Sequence, residues 1–298
     1  MGHPHLDQSG RIAVFVIVGM VFVFGSIAVG YTMHGGNLMV LMQISEFIII
    51  GGAGMGALIV ANPPHVVKEI FREILGLLKP VPYRHREYQE LLQVLYQLFY
   101  TARRDGLIGI EDHIENPEGS ELFNQYPAFR AHSAAVRFLA DTLKVLLTGA
   151  VEDHHLQEIL DLDIEQYHDE RMEIPHAIAT IADAMPGFGI VAAVLGVIIT
   201  MGKIGGDPAI IGESVAAALV GTFVGVLLAY GVVGPIATSI EQRMKAEHVY
   251  MLCIRTALLS FARGDSPLTS VEFARRSIHP EERPSFEEVE EMTRQKAA

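Results

Sequence analysis

A single cysteine, Cys253, leaves this chain without the means to form an intramolecular disulfide. Its expected state is an inert, buried thiol. Basic residues are also in short supply. The 22 Lys and Arg face 35 Asp and Glu, and the resulting net charge of −13 has the wrong sign for a nucleic-acid face but suits an acidic cytoplasmic surface. No phosphate-binding loop, nucleophile elbow or pair of catalytic acids occurs, so neither enzyme chemistry nor a cofactor is expected. His154 and His155, with Asp153 and Asp163, come nearest to a metal cluster. Adjacent histidines lack the i, i+4 spacing that puts two ligands on one helix face, so no metal is expected. Strand-like alternation is missing as well, which predicts an all-α chain.

Charge is missing from four long stretches. Met185–Gly202 and Ser214–Ala237 contain no Asp, Glu, Lys, Arg or His, nor does Ile12–Tyr31, and Ile44–Ala61 is interrupted only by Glu46. A bilayer core needs roughly 20 apolar residues in a helix, so four spans are expected. The first run is too long for a typical signal peptide and leads straight into another hydrophobic segment, so it is expected to stay in place. Lys and Arg in the short flanks set the orientation. Arg11 precedes span one, Lys68, Arg72, Lys79, Arg84 and Arg86 follow span two, and Arg243 and Lys245 follow span four. Thr32–Gln43 has no Lys or Arg, and the other short connection has only Lys203. Both termini and the middle segment are therefore expected in the cytoplasm. Glu46, near the start of span two, is expected at the outer interface, where an acid stays hydrated.

The expected organisation is a cytoplasmic N-terminus (1–11), spans one and two (12–62), a cytoplasmic helical domain (63–175), spans three and four (176–238) and a cytoplasmic helical tail (239–298). NPPH at Asn62–His65 should end span two, and KPVP at Lys79–Pro82 should break the chain again. From Glu87, the spacing of Leu91, Leu92, Leu95, Leu98 and Phe99 predicts an amphipathic helix with Gly106 as its stop. Further helices are expected over Phe129–Thr148 and from about Val151 to a boundary or bend at Pro175. The tail reads as a helix over Ser239–Arg263, a break at Gly264–Pro267, a short helix near Val271–Ser277 and an acidic segment.

Small residues mark the spans: Gly52 and Gly56, Gly187 and Gly189, Ala192 and Gly196, Gly221 and Gly225. Lipid gives helices no hydrophobic incentive to associate, so close approach through small residues supplies the contacts, and these spans expect neighbours. Pro186 is expected to begin span three and Pro235 to end span four, each freeing a backbone carbonyl. Thr222 is the one hydroxyl deep in span four. Proline and glycine without any charge point to an ion path whose proton-binding acid lies on another chain.

The phrases MPGFGIVAAVLGVI, ALVGTFVGVLLAYG followed by GPIAT, GIEDHIENPEGSELFNQYP and VEFARRSIHPEERPSFEEVEE resemble the MotA family of flagellar-motor stator subunits. The resemblance runs from the first span to the tail. It implies a proton-driven torque generator in the bacterial inner membrane, with five copies surrounding a MotB dimer whose aspartate binds the proton. By motif, Pro186 and Pro235 match the prolines of the third and fourth spans, and Thr222 matches a pathway threonine. Ala193 stands where sodium-driven relatives carry a threonine, which favours protons. Arg103 and Glu111 match the charged pair that engages the rotor protein FliG, with Arg104 an open alternative to Arg103. A related energiser resembling ExbB or TolQ is the competing reading, opposed by the first hairpin, the ENP phrase and the RPSF tail. A membrane scaffold without ion flux is a third.

Overall fold

In the computed structural model, residues 11–79, 82–149, 153–205 and 207–297 are described. The N-terminal segment before Arg11, the Pro80–Val81 part of the KPVP break and the start of a helix at Val151 lie outside them. Every regular element among the described residues is helical. The chain divides into two compact units, one comprising Met1–Val81 with Arg171–Gln242 and the other Pro82–Glu170 with Arg243–Ala298.

The first unit holds the apolar runs. Helix α1 (Arg11–Met33) is followed by a single turn, α2 (Leu38–Leu41), and by α3 (Ile44–Ala61). Asn62, held extended by the proline after it, ends α3 (φ −128°, ψ 146°), and Pro64 sits in the first turn of α4 (Pro64–Gly76), where its missing N–H is no loss. Among the described residues, four helices are long and apolar enough to cross a membrane, with segments Val16–Met33, Leu38–Ala61, His154–Met201 and Pro208–Ala262. Arg171 on the third of these donates to Glu73 of α4 at 2.7 Å.

The second unit is built on α5 (His85–Asp105), whose Leu91, Leu92, Leu95, Leu98 and Phe99 are buried as the spacing predicts. Gly106, at φ +80°, stops it in a conformation that favours glycine. A 3₁₀ turn (Leu107–Ile110) leads to the short helices α6 (Glu111–Glu115), α7 (Glu121–Asn124) and α8 (Pro127–Arg130), and then to α9 (Ser133–Leu147). The single helix expected over Phe129–Thr148 is thus two, because the chain leaves the helix at His132 (φ −93°, ψ 73°). Phe99 stacks on Phe261 at 4.3 Å, and Phe123 meets Phe129 edge-on at 5.6 Å. Cys253 lies fully buried, its Sγ donating to the Ala274 carbonyl at 3.3 Å, and burial pushes its thiol up to about 12.

Helix α10 (Asp153–Met201) gives residues to both units and passes through Pro175 and Pro186 without ending at either, so neither proline is a helix boundary. Each ring removes one hydrogen bond, to the carbonyl four residues earlier, while the rest of a 49-residue ladder remains. Helix α11 (Pro208–Leu228) likewise runs on through a π turn (Ala229–Val233) into α12 (Gly234–Ala262). After α12 come α13 (Pro267–Ser277) and α14 (Phe286–Ala297).

Candidate functional site

Helices α10 and α11 meet along their smallest residues. A Cβ on Gly189 would lie 2.8 Å from the Gly221 carbonyl oxygen and 3.3 Å from the Thr222 Cα. One on Gly225 would lie 2.8 Å from the Met185 carbonyl oxygen and 2.9 Å from the Gly189 Cα, and one on Gly196 only 2.7 Å from the Ala218 Cβ. For Gly189 and Gly225 the obstacles are backbone, so no change of rotamer could relieve them. The seam therefore pairs Gly189, Ala192 and Gly196 with Gly225, Gly221 and Ala218. A Cβ on Gly52, Gly56 or Gly187 would meet no other helix of the described residues within 4 Å, so among those residues these small faces are left open.

Around this seam the structure gathers three of the residues singled out by sequence. Pro186 is half-buried inside α10, next to Met185, whose carbonyl meets Gly225. It stands inside the helix and leaves the Ala182 carbonyl without its usual partner. Ala193 contributes its backbone nitrogen, 3.2 Å from where a Cβ of Gly221 would be. Thr222, half-buried, follows Gly221 directly. Pro235 lies apart, 13 residues on and roughly 20 Å farther along the helix. Its missing N–H coincides with the π turn, where the Gly234 N–H reaches back to the Ala229 carbonyl. Such turns inside helices recur at functional sites.

One group near the seam was misjudged from sequence. Glu46 is 5% exposed, not hydrated at an interface, and its Oε2 lies 2.6 Å from the position of a Gly221 Cβ. The available signal was that Glu46 is the one charged residue in the four apolar runs. Which helix face it meets depends on the relative register of α3 and α11, on which single-helix periodicity is silent.

The other pair of candidates is in the second unit. Arg103, in the last turn of α5, and Glu111, at the start of α6, are both exposed and flank the Gly106 corner. Arg103 is anchored: its Nη2 donates to the Asp265 carbonyl at 3.0 Å, and its guanidinium lies 5.3 Å from the centre of the Phe261 ring. Arg104 instead pairs with its neighbour Asp105 at 2.7 Å, and its side chain is 63% exposed.

Residues 17–106 match the profile of the motility protein A N-terminal region, and residues 130–252 match that of the MotA/TolQ/ExbB proton channel family. The chain is 38% identical to motility protein A of Salmonella typhimurium over 282 residues, covering 94% of this chain and 95% of that one. It is 36% identical to the chemotaxis protein LafT of Vibrio parahaemolyticus over 275 residues, covering 92% and 95%. Its fold is similar to that in the structure of C. jejuni MotAB, with a TM-score of 0.72 at 21% identity, covering 94% of this chain and 100% of that one. Four apolar helices, a glycine seam between the last two and likeness at both ends of the chain make it a member of the motility protein A family, the flagellar branch of the MotA/TolQ/ExbB proton channels.

Proposed function

We propose that several copies of this chain, five around a MotB-like pair, form a stator ring in which the α10–α11 seam lines a proton path and the companion supplies the titrating aspartate. The chain is a multi-pass inner-membrane protein, and in this reading both termini and the Pro82–Glu170 segment face the cytoplasm. Residues 12–62 and 176–238 form the membrane part, 63–175 contains the face that meets the rotor, and 1–11 and 239–298 are cytoplasmic. Pro186, Ala193 and Thr222 border the path, with Pro235 at its inner end. Arg103 and Glu111 form the contact with FliG.

One observation carries most of this. The α10–α11 seam is packed so closely that it has no slack, yet Pro186 stands in it with a freed carbonyl, and α10 carries no charged side chain from Ala184 to Met201. α10 offers no acid of its own along this wall, and in this reading the acid that couples protons to motion comes from a companion. A proton crossing the membrane releases about 2.3 kcal/mol for each 100 mV. Neutralising a carboxylate beside an apolar wall changes which helix packing is favoured, and the proton's energy becomes motion by that route. Exposed charges such as Glu111 act by steering and register, which suits a contact made and released at every step.

The test is to purify the chain with its MotB companion, count the subunits in the ring and measure proton flux and swimming. Pro186→Leu should preserve the ring and abolish swimming. Normal motility in that variant would remove Pro186 from coupling, and proton current through this chain without a companion would overturn the division of labour. Replacing sodium with potassium should leave rotation unchanged, whereas a sodium requirement would reverse the ion assignment.

A further inference from the structure

Glu46 has a buried oxygen with nothing in the described chain to satisfy it. Its Oε2 has no hydrogen-bond partner, and its Oε1 receives only a long contact from the Ser45 hydroxyl at 3.4 Å. Buried polar atoms are nearly always paired, and one that is not needs a reason. The carboxyl occupies the space left by the missing side chain of Gly221, a space also bordered by Ala192 and Ala193 of α10. Gly221 is the fourteenth residue of α11, roughly 20 Å from its start, and Ala192 is nine residues, about 14 Å, from the end of α10. Glu46 therefore meets both helices inside their regular stretches, away from the Lys203 connection that joins α10 to α11.

No cation comes within ion-pairing reach from the helices packed against it. α2 carries no charge, and Glu213, the one charged residue of α11, is eight residues from Gly221, about 12 Å along the axis. The charges of α4 lie beyond the far end of α3, about 22 Å or more away along that helix. Lys203, in the connection between α10 and α11, donates to the Ser214 hydroxyl at 3.0 Å, seven residues or about 10 Å from Gly221. Burying a carboxyl without a partner is costly, so its place here calls for a ligand from outside the described chain.

We propose that Glu46 is a proton-binding station in the path, acting before the companion's acid. Its Oε2 takes a proton from a hydronium ion, forming an O–H bond and leaving water. It then passes the proton to the companion's carboxylate, returning to its ionised form as that acid becomes neutral. Gly221 is the residue that leaves room for this carboxyl beside Ala193 and Thr222. The assignment rests on the proton-channel reading above and adds to it a proton-carrying carboxyl supplied by this chain.

The intact complex with its companion, in liposomes under an imposed potential and with a pH-sensitive dye inside, tests it. Wild-type complex that passes no protons would overturn the channel reading and this one with it. Given wild-type flux, Glu46→Gln, close in shape but unable to relay a proton, should lower the flux about tenfold or more, with the yield of complex unchanged. Glu46→Asp should keep part of it. Wild-type flux in Glu46→Gln would overturn the station while leaving the channel intact. If Glu46→Gln does not assemble, treating the wild-type complex with a hydrophobic carbodiimide, which attacks protonated carboxyls in apolar surroundings, decides the matter. Modified Glu46 in the mass spectrum supports the station, and unmodified Glu46 beside a modified companion acid overturns it.

Discussion

The two units of this protein make their closest contacts with different kinds of residue. In the membrane unit, although Ile50 and Ile240 are enclosed, the closest contacts are glycine on backbone and many large apolar side chains point outward: Phe22 is 75% exposed, Val60 89% and Leu219 67%. In the polar unit the buried residues are large, with Leu95, Leu98 and Phe99 fully enclosed, and the charges lie outside. The cause is the solvent. Water drives large apolar groups together, whereas a lipid tail is as good a neighbour for leucine as another leucine, so helices in a bilayer associate through close backbone approach. The same chain obeys two packing rules, and the borders of the units at Val81, Glu170 and Gln242 divide one from the other.

The sharpest way to break that comparison is to reverse residue size in each unit. Gly225→Ala brings a methyl group against the Met185 carbonyl and the Gly189 Cα, so α10 and α11 must separate. Loss of the assembled complex is expected, read as its yield after purification. Gly187→Ala, on the same helix α10 but with open space around it, should leave this chain intact. Failure there would mark the face on which a neighbouring helix packs. In the polar unit the damage comes from shrinkage: Leu98→Ala should cost about 2–5 kcal/mol, read as faster hydrogen exchange in α5 with membrane insertion unaffected. Equal tolerance of Gly225→Ala and Gly187→Ala would refute the seam.

Much of this was legible in the sequence because it depends on local pattern. Uncharged length marked the spans, the leucine spacing marked α5, and Gly106 stopped that helix because the chain there needs a positive φ. What was not legible depends on contacts between segments. The sequence leaves a boundary or a bend open at Pro175, and the helix runs on through it and through Pro186, since neighbouring turns and packing outweigh one lost hydrogen bond. At Pro235 a π turn carries the helix onward. The site residues divide in the same way: motif could single out Ala193 and Thr222 separately, but only the fold reveals that Gly221 lies between them and that Glu46 reaches it.

A smaller effect separates the two arginines at the corner of the polar unit. Arg103→Ala removes the hydrogen bond to the Asp265 carbonyl, worth about 1 kcal/mol, and should loosen the link between α12 and α13. Arg104→Ala forfeits an exposed pair with Asp105 and a 5.8 Å contact over the Tyr100 ring, and should leave stability nearly unchanged. Arg103→Glu should impair rotation and be partly rescued by a compensating charge on the rotor, and unchanged rotation would remove Arg103 from that contact. Impaired rotation in Arg104→Ala at unchanged stability would give the rotor contact to Arg104.

The smallest effect concerns acid, and it too distinguishes the units. The described histidines of the membrane unit, His34, His65 and His176, are exposed. In the polar unit His132 lies against Tyr83 and Tyr250, with ring centres 4.4 and 5.3 Å away. Burial holds its imidazole below the ordinary value of 6.5, opposed by the nearby carboxylates of Glu247 and Glu90. Burial, followed by the neighbouring His168, does the same to His248. Below 6.5 the unfolded chain therefore binds protons that the folded unit resists, and stability falls as pH falls until the folded groups titrate too. Amides of α5 and α9 should exchange faster as the pH drops from about 7 to about 5.5, after correction for intrinsic exchange rates. His132→Gln should flatten that slope, with His248 supplying what remains, and an unchanged slope would show that His132 does not sense the acid.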